Sequence, residues 1–564
     1  MLIRALLVVF AAAAAAAWYA ALPPRAQAPS AADEMAAVRG AIHVHTRRSD
    51  GTGTVEQVAA AAGGAGLQFV IVTDHGDATR APDPPSYHGG VLVIDAVEIS
   101  TEGGHVVALG LPKAPYPLGG EPRDVLADIA RLGGFSIIAH PVNDRAESRW
   151  TEWTAPFDGL EWLNLDSEWR DEPAGRLARV ILAYPFRKVE SLGLLLDRSE
   201  VAMARWDALT RRRRVVAIAA ADAHARVGFN ASEPYQRGVA IPVPGYEALF
   251  RTFSIALPQA SLAGEAQDDA VTVLGELRAG RVFSSVDAIA PRPAFTFTAA
   301  SGALRAVAGE PLTTKDPVRL DVAVQAPAEA RIVLLRDGSP VAEGKGSALQ
   351  HDAGPDPGVY RVEVMLPGAP GEPPVPWIVS NPIYVGRPAV DAPAVIPRAK
   401  PAERAELYSE GPAEGWTVEH SASSQAAVDV AKAVKGTQIM LRYAIAGPLS
   451  EHPYAALVAP AGPALPAHDR LTFTAYADRP MRMSVQLRAP GDDPAGQRWH
   501  RSVFLDATPR EITVFFDELL PRGATKTARP PLPEVQSILF VVDTVNTPSG
   551  TAGRLFVDDV RYER

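Results

Sequence analysis

The sequence predicts an α/β domain followed by two all-β sandwich domains, and three observations support this prediction. The chain has 564 residues, which is more than one hydrophobic core accommodates. Up to about residue 290, short apolar strand-like runs alternate with helical stretches, an order that predicts parallel strands joined by helical crossovers in an α/β layer or barrel. After Pro291-Arg292-Pro293 the helical periodicity disappears.

The first domain, expected over residues 36–290, contains apolar β-type runs separated by segments rich in Ala, Leu and Glu. Thr54 is a plausible N-cap for the first helix, and Gly63, Gly64 and Gly66 mark its end. The predicted helices include Val55–Ala65 and Pro122–Leu132. The predicted strands are Ala41–Val44, Phe69–Val72, Val91–Ile99, Phe135–Ala139, Gly159–Leu163 and Val215–Ala221.

The remaining chain reads as two all-β regions joined by an extended linker. Residues 291–386 contain short alternating strands, among them Val318–Val324 and Arg331–Arg336, and Asp337-Gly338 is a hairpin signal. This pattern is typical of an immunoglobulin-like sandwich. Residues 387–403 carry regularly spaced prolines and predict a stiff linker. Residues 404–564 predict a jelly-roll domain that resembles galactose-binding-like carbohydrate-binding modules.

The N-terminus predicts export. Arg4 precedes an unbroken apolar run, Ala5–Leu22, and an A-x-A site follows at residues 26–28. This arrangement predicts a signal peptide, residues 1–28, that is cleaved after Ala28. The 18-residue run also has the length of an uncleaved membrane anchor. Both alternatives place the protein in the periplasm or outside the cell, with membrane contact only if the segment is uncleaved.

Composition excludes several classes of function. The net charge of −10 argues against a nucleic-acid partner, since such a partner requires a basic surface. The chain has no cysteine, so disulfides and thiolate metal sites are excluded. Any bound metal must therefore be held by nitrogen and oxygen ligands.

Histidines and carboxylates cluster at the ends of the predicted strands of the first domain. His43-Val44-His45 closes the first strand, and residues i and i+2 of a strand point to the same side. Single histidines at strand ends are usually packed or solvated, but their joint occurrence at successive strand ends predicts a metal site. The candidate ligands are His43, His45, Asp50, His75, Glu98, His105, His140, Asp222 and His224.

These motifs resemble those of the PHP (polymerase and histidinol phosphatase) superfamily, in order, over residues 40–290. The resemblance implies a distorted (β/α)7 barrel with two or three divalent metal ions. It implies one metal at His43, His45, Glu98 and Asp222, a second at Glu98, His105 and His140, and a third at Asp50, His75 and His224. Many family members carry histidine where this sequence has Asp50, and aspartate is a common alternative that is also a competent ligand. The domain order resembles that of exported metallohydrolases related to carbaryl hydrolases, in which an immunoglobulin-like domain follows the barrel.

Nitrogen and oxygen ligands suit zinc, manganese or iron. We expect a hydrolase that uses a metal-bridging hydroxide, with Glu98, His140 and Asp222 as catalytic residues. The superfamily favours phosphoesters, and the alternative is hydrolysis of carbamates, amides or carboxylic esters. Candidate substrate residues, each of which has surface solvation or packing as its alternative role, are Arg47, Arg145, Asn164, Arg170 and Arg226.

A non-catalytic alternative assigns the chain to glycan binding, with a barrel that has no activity. Trp416, the Trp499-His500 strand and Leu555–Val560 resemble parts of carbohydrate-binding modules. Their aromatic rings would stack on sugars, or else pack in the core. The expected partners are thus a small-molecule or glycan-linked ester and, through residues 404–564, a polysaccharide.

Overall fold

The computed structural model describes ten stretches of the chain, which form two compact units. The first unit comprises Met1–Gly76, Ala81–Pro112 and Ile129–Pro393, and the second Asp77–Arg80, Lys113–Asp128 and Ala394–Arg564, in each case as far as described. Most of the predicted signal peptide and linker lies outside the described residues. These are 18–27, 37–229, 239–241, 243–291, 293–326, 329–354, 357–386, 398–433, 435–491 and 496–564.

The described N-terminal part of the first unit contains two larger sheets and a two-stranded sheet of β10 and β11. In the first, β1, β2 and β4 pair in parallel and β12 joins β1 in antiparallel orientation. In the second, only β7, β8 and β9 pair in parallel. The strands are β1 Val38–Ile42, β2 Phe69–Val72, β3 Ser86–His88, β4 Val91–Asp95, β5 Val97–Thr101, β6 Gly104–Leu109, β7 Phe135–Ile138, β8 Gly159–Asn164, β9 Val216–Ala220, β10 Val227–Phe229, β11 Val239–Ile241, β12 Ser254–Leu257 and β13 Phe283–Ser285.

The expectation of parallel pairing throughout is wrong at β5 and β6. These strands form a hairpin in which Thr101 pairs with Gly104. Only residues 102–103 connect them, and a two-residue connection can join only antiparallel neighbours. The alternation of strands with helices therefore holds for part of this region.

Backbone hydrogen bonds bring the two sheets together at the strand ends that carry the histidines. The amide of Ala221 donates to the carbonyl of Ile42 at 2.9 Å, which places the end of β9 beside β1. The amide of Glu98 donates to the carbonyl of Asp74 at 3.3 Å, which places β5 beside the end of β2. The ends of β1, β2, β5 and β9 are thus neighbours.

The helices of the first unit lie between these strands. Thr54 caps α1 as expected, because its hydroxyl accepts from the amide of Gln57 while the Gln57 side chain accepts from the amide of Thr54. Part of α2, through Asp128, belongs to the second unit. The described α-helices are α1 Val55–Gly64, α2 Pro122–Arg131, α3 Leu165–Glu168, α4 Ala174–Ala183, α5 Lys188–Gly193, α6 Glu200–Thr210, α7 Tyr246–Phe250 and α8 Ala266–Ala279.

A β-sandwich follows in the same unit. Its four-stranded sheet has the order β15-β14-β17-β20. The strands on the opposite side belong to the sheet that contains β1, because β22 joins that sheet by pairing with β13. Buried residues such as Phe297, Leu334 and Trp377 fill the core between them. The strands are β14 Phe295–Ser301, β15 Leu304–Val307, β16 Pro311–Leu312, β17 Val318–Val324, β18 Arg331–Arg336, β19 Ser339–Lys345, β20 Ala348–Gly354, β21 Gly358–Met365, β22 Ile378–Ser380 and β23 Ile383–Val385.

A buried ion network joins this sandwich to α6. The Arg361 side chain on β21 is 2% exposed. Its Nε lies 2.7 Å from Asp207 Oδ1 on α6, and its Nη1 lies 2.6 Å from Glu363 Oε1. Arg198 also pairs with Glu363, at 2.9 Å. Buried carboxylates and guanidinium groups thus neutralise one another.

The second unit contains a sandwich of two antiparallel six-stranded sheets, so the expected all-β architecture is confirmed. Its core includes Phe473, Phe540 and Leu555. Short 3-10 helices lie at Leu449–Glu451, Leu465–Ala467, Phe516–Glu518 and Leu532–Glu534. The strands are β24 Arg404–Tyr408, β25 Thr417–His420, β26 Gln425–Lys432, β27 Thr437–Ala444, β28 Tyr454–Pro460, β29 Arg470–Ala477, β30 Met481–Ala489, β31 Gln497–Leu505, β32 Arg510–Phe515, β33 Leu520–Arg522, β34 Ser537–Asp543 and β35 Ala552–Glu563.

Residues 113–128 belong to this second unit although they are distant in sequence. Arg482, whose side chain is 5% exposed, lies 2.7 Å from Asp128 and 3.3 Å from Asp124. His500 lies 3.2 Å from Glu121. The outer face of the sheet that holds β30 and β31 is therefore covered here by acidic side chains.

Within the described stretches, no helix has both the length and the apolar character required to span a bilayer.

Candidate metal centre

The structure brings all nine candidate ligands together at the neighbouring strand ends. They follow β1, β2, β7 and β9, or lie within β5 and β6, and Asp50 lies in the connection to α1. Four groups of three or four side chains each place one ligand atom per residue within 4.8 Å of the others. These groups are His43, His45 and Asp222; His43, Glu98 and His140; His75, Glu98 and His105; and His45, Asp50, His75 and His224.

Glu98 lies at the centre of the cluster, and its side chain is 1% exposed. One carboxylate oxygen faces one pair of histidines, and the other oxygen faces three more. Such an arrangement suits a carboxylate that bridges two ions. The distances are 2.8 Å to His105 and 3.1 Å to His140 from Oε1, and 3.1 Å to His75, 3.2 Å to His43 and 3.3 Å to His45 from Oε2.

The Nε2 atoms of His43 and His45 carry the strongest indication of a metal. Both rings are fully buried, and neither Nε2 makes a hydrogen bond to any residue that the structure describes. Each nevertheless lies 3.4 Å from Asp222 Oδ1. Two ligands about 2.1 Å from a tetrahedral metal lie about 3.4 Å apart. The donor set therefore fits a divalent ion better than it fits hydrogen bonding.

Asp50 lies on a second side of the cluster. Its carboxylate is 3.2 Å from His224 Nε2, 3.6 Å from His45 Nδ1 and 3.8 Å from His75 Nε2. Arg226 donates to the same carboxylate at 2.9 Å. The pKa of Asp50 lies well below its usual value, since burial, which raises it, is outweighed by the neighbouring histidines, above all His224.

The cluster is open to solvent on the side of Asp50. The side chains of His75, His224 and Arg226 are 15%, 18% and 15% exposed, whereas those of His43 and His45 are at 0%. A substrate approaching from solvent would meet these exposed rings and this guanidinium first.

Glu161, which we did not predict from the sequence, supports the deeper ligands. Its Oε1 lies 2.6 Å from His43 Nδ1, and its Oε2 accepts from the backbone amide of His140 at 2.7 Å. The side-chain amide of Asn164 donates to Glu161 at 2.7 Å and to Asp222 at 3.2 Å. A carboxylate that accepts from the distal nitrogen of a ligand histidine fixes the orientation of the ring.

An irregularity in β8 explains why Glu161 and Asn164 face the same side. The pairing of β8 with β9 shifts register between Glu161 and Leu163. In a regular strand, residues three apart point to opposite faces. Bulges re-aim side chains and are frequent beside active sites, so the shift explains how both residues reach the cluster.

Backbone conformations at the site are strained. His43, His140 and Asp222 adopt positive φ angles of 64°, 31° and 43°. Residues other than glycine rarely adopt such angles, and each costs on the order of 1–3 kcal/mol. Strain of this kind clusters at functional sites, which supports a functional interpretation.

Two glycines permit the backbone to pass close to the ligands. A Cβ on Gly51 would lie 2.2 Å from the carbonyl oxygen of His45. Gly104, beside His105, has a φ of +111°, and a Cβ there would lie 2.9 Å from the Arg149 carbonyl. Side chains at either position would displace the backbone next to a candidate ligand.

Asp74 and Tyr246 hold the loop after β1. The carboxylate of Asp74 accepts from the Thr46 hydroxyl and the Ser49 hydroxyl, both at 2.6 Å. The Tyr246 hydroxyl donates to the carbonyl of His45 at 2.8 Å. Thr46, Ser49, Asp74 and Tyr246 thus shape the loop that carries Asp50.

The candidate substrate residues are placed differently. Arg226 contacts Asp50 and Asn164 contacts Asp222, so both lie at the cluster. Arg47 is exposed and donates to the carbonyl of Thr52, Arg145 is exposed, and Arg170 pairs with Asp166 at 2.7 Å. These three arginines make none of their described side-chain contacts with the nine candidate ligands.

No family model matches the chain, and no curated protein matches it. Solved structures do. A family 11 carbohydrate-binding module from Clostridium thermocellum, in complex with a β-1,3-1,4-mixed-linked tetrasaccharide, is 14% identical, with a TM-score of 0.24, over 28% of this chain and 94% of its own. A structure of carbohydrate-binding modules from the β-sandwich superfamily is 14% identical, with a TM-score of 0.21, and the match covers 48% of this chain and 96% of that one. A family 30 carbohydrate-binding module of a cellulosomal cellulase of Clostridium thermocellum is 7% identical, with a TM-score of 0.22, and the match covers 28% of this chain and 96% of that one.

The tryptophans named as possible sugar platforms are buried. Trp499 is 0% exposed and Trp416 is 7% exposed, and both belong to the core of the second unit. Trp416 stacks on Phe540 with ring centroids 5.9 Å apart. The packing alternative is thus confirmed for these two residues, and sugar stacking by them is wrong, because their ring faces contact protein.

The anionic surroundings favour protonated imidazoles in the metal-free cluster. Burial lowers the pKa of His45, but Asp222 and Glu98 outweigh it and raise that pKa to about 10. Burial also lowers the pKa values of His43 and His140, but the neighbouring carboxylates outweigh it, so both pKa values are raised. Burial lowers the pKa of His75 to about 3, so this ring is neutral.

We therefore expect metal binding to release protons. Metal ligation requires neutral imidazole, and rings with raised pKa values must lose their protons first. Each released proton makes the apparent affinity rise about tenfold per pH unit. Calorimetric titration with Zn²⁺ in buffers of different ionisation enthalpy measures the number released. A heat independent of the buffer, or equal affinity at about pH 6 and about pH 8, would contradict the prediction.

Replacing Glu161 with glutamine is expected to weaken metal binding about 10–100-fold, as found for residues that orient metal ligands. Glutamine has one acceptor oxygen, so it cannot accept from both His43 and the amide of His140. Competition with a chelator measures the metal affinity. The unfolding midpoint of the metal-free protein distinguishes weaker metal binding from a loss of the fold. The control is Glu200→Gln, an exposed glutamate. Unchanged affinity would show that Glu161 does not orient His43.

Proposed function

We propose that the protein is an exported metal-dependent hydrolase of the PHP kind, with phosphoesters as its substrates. The observation that carries the proposal is the convergence of the buried His43 and His45 Nε2 atoms with Glu98 and Asp222, without hydrogen bonds. We further propose that the distorted (β/α)7 barrel is built from strands among β1–β9 and β12. The hydrogen bonds that link β9 with β1, and β5 with the end of β2, support this arrangement.

The residues divide among the ions as follows in the proposal. His43, His45 and Asp222 would hold one ion, Glu98 would bridge it to a second at His105 and His140, and Asp50, His75 and His224 would hold a third. Imidazole and carboxylate donors suit zinc, manganese or iron. Because Asp50 brings a negative charge where histidine is common in the family, the Arg226 contact at 2.9 Å supports it as a charge-balanced ligand.

When bound, such ions lower the pKa of coordinated water and stabilise negative charge that develops on the electrophile. The residues of the chain provide the geometry. Glu161 fixes the His43 ring, and Asn164 donates to Asp222 and restricts that carboxylate. The His140 ring is oriented at its other nitrogen, where Nδ1 lies 3.1 Å from the carbonyl oxygen of Ser148.

The exposed side of the cluster favours an anionic substrate. Arg226 is partly exposed beside His75 and His224, and guanidinium groups recognise phosphate through paired hydrogen bonds. Carbamates, amides and carboxylic esters lack that charge but are opened by the same chemistry, so they remain the alternative substrates.

The test is a panel of chromogenic esters assayed with the purified full chain after loading with Zn²⁺, Mn²⁺ or Fe²⁺. The substrates are p-nitrophenyl phosphate, bis(p-nitrophenyl) phosphate, p-nitrophenyl acetate and a p-nitrophenyl carbamate. We expect turnover of a phosphoester that is lost in Asp222→Ala and in His140→Ala. The matched control is His88→Ala, since His88 bonds to Ser86 rather than to the cluster.

The outcomes separate the candidates. Turnover of phosphorus-free esters alone would replace phosphoesters with the alternative substrates. Full activity in Asp222→Ala and His140→Ala would refute the metal assignment. Less than one equivalent of metal per chain, with no ester hydrolysed, would leave glycan binding as the function.

Glycan binding by the second unit is the second candidate. A surface cavity of about 250 Å³ lies beside the 3-10 helices Phe516–Glu518 and Leu532–Glu534 of this unit. Its lining combines apolar rings with charged groups, a combination typical of ligand sites. Affinity electrophoresis of the full chain in gels containing soluble β-glucans tests this role, with Arg529→Ala as the variant and Arg331→Ala as the control. The lining residues are Arg398, His468, Asp469, Phe515, Phe516, Asp517, Arg529, Pro530 and Leu532.

A further inference from the structure

Helix α4 has an outward face that is unusually apolar. Val180 and Ala183 are buried on its inner face, at 7% and 3% exposure. On its outer face Ile181 and Leu182 are 70% and 63% exposed, and Phe186, one turn beyond, is 63% exposed. A surface helix normally presents polar residues to solvent opposite its buried stripe. This face instead leaves a contiguous apolar stripe uncovered.

A second segment adds aromatic rings to this stripe. Trp18 contacts the ring of Phe186 edge to face, with centroids 4.4 Å apart, and Tyr19 is 63% exposed. Arg187 lies over the Tyr19 ring at 5.7 Å and donates to the carbonyl of Pro23. Residues 18–23 are thus fixed against the turn after α4, and they close the apolar run Ala5–Leu22.

Basic residues border the stripe, although one of them, Arg176, is paired with Glu172 at 2.7 Å. Residues 174–188 contain four basic residues and no acidic residue, whereas the whole chain has a net charge of −10. Arg179 and Lys188 are exposed. Cations that border an apolar surface attract anionic lipid headgroups, at about 1 kcal/mol, or about fivefold in affinity, for each Lys or Arg.

We propose that this surface, defined by Trp18, Tyr19, Ile181, Leu182 and Phe186, lies against a lipid bilayer with anionic headgroups. Trp and Tyr are enriched at the membrane–water interface, and large apolar side chains enter the region just below the headgroups. The surface continues in sequence from the apolar run Ala5–Leu22. In the chain that retains this run as an uncleaved anchor, chain continuity, ring chemistry and charge therefore favour the same partner. The inference does not depend on the proposed hydrolase activity.

Site-specific labelling tests the proposal cleanly because the chain has no cysteine. Leu182→Cys in the full chain is labelled with the environment-sensitive fluorophore NBD and mixed with phosphatidylcholine–phosphatidylglycerol vesicles that carry a spin-labelled lipid quencher. The matched control is Val271→Cys on α8, which is also 63% exposed. We expect a blue shift and lipid quenching at position 182 and neither change at position 271.

Two further measurements make the proposal decidable. In the chain labelled at position 182, the double substitution Ile181→Ser and Phe186→Ser is expected to abolish most of the lipid quenching. An unchanged melting temperature of this variant is the control that the fold persists. Lys188→Gln is expected to lower vesicle affinity about fivefold. Equal responses at 182 and 271, equal quenching in pure phosphatidylcholine vesicles, or shielding of 182 that grows with protein concentration without lipid would each overturn the proposal.

Discussion

The Glu98→Gln variant is expected to lose ester hydrolysis by about 10³-fold, since metal ions contribute several kcal/mol to transition-state stabilisation and each 1.36 kcal/mol is tenfold in rate. Glu98 lies within 3.3 Å of ring nitrogens of five histidines. Glutamine keeps the shape but removes the negative charge and one of the two ligand oxygens. The shared ligand of two ions would therefore be lost.

Metal content distinguishes this loss from misfolding. We expect fewer bound equivalents by elemental analysis, with the strands intact by circular dichroism. Glu200→Gln, an exposed glutamate on α6, should retain both activity and metal. If Glu98→Gln bound the wild-type amount of metal and hydrolysed esters at the wild-type rate, a bridging role for Glu98 would be refuted.

The Arg361→Ala variant is expected to lower the free energy of unfolding of the first unit by about 3–5 kcal/mol, the usual cost of removing one partner of a buried ion pair. The guanidinium is 2% exposed and contacts both Asp207 and Glu363. Its removal leaves Asp207 without this partner and leaves Glu363 with Arg198. The transition of the first unit in scanning calorimetry measures the effect.

The control is Arg331→Ala, because Arg331 pairs with Glu343 at the surface, where both side chains are about half exposed. Exposed pairs contribute at most about 1 kcal/mol, so this variant should unfold near the wild-type temperature. A double-mutant cycle with Asp207→Asn isolates the pair. Equal destabilisation by the two arginine variants would contradict the importance of the buried network.

Sequence patterns predicted the bounds of several strands. Phe69–Val72, Val318–Val324 and Arg331–Arg336 have the bounds expected, and the pattern of β17 alternates between buried and exposed residues. The run Val91–Ile99, expected as one strand, forms β4 and β5 in two different sheets. The apolar residues Val91–Ile94 show no alternation, and the charged Asp95 that follows them is the residue at which β4 ends.

The cluster of candidate ligands was predictable because histidine is rare and its positions follow strand ends, but the geometry that unites these residues was not. His43 and His45 were expected to share a face through regular strand alternation. The structure instead ends β1 at Ile42, and His43 has a positive φ. Glu161 was not predicted, because the register shift in β8 is not visible in the sequence. The signal that could have identified it is a charged residue inside an apolar strand.

The acidic residues near Arg482 bear on how this protein could have been assembled in evolution. Domains are exchanged between genes most easily when each is a continuous stretch of chain that folds without its neighbours. A fragment that begins at residue 398 lacks Asp124 and Asp128, so its Arg482, 5% exposed here, would lose both carboxylate partners. Gene fusion or loss that separates the C-terminal sandwich from residues 113–128 would therefore leave Arg482 without these two partners.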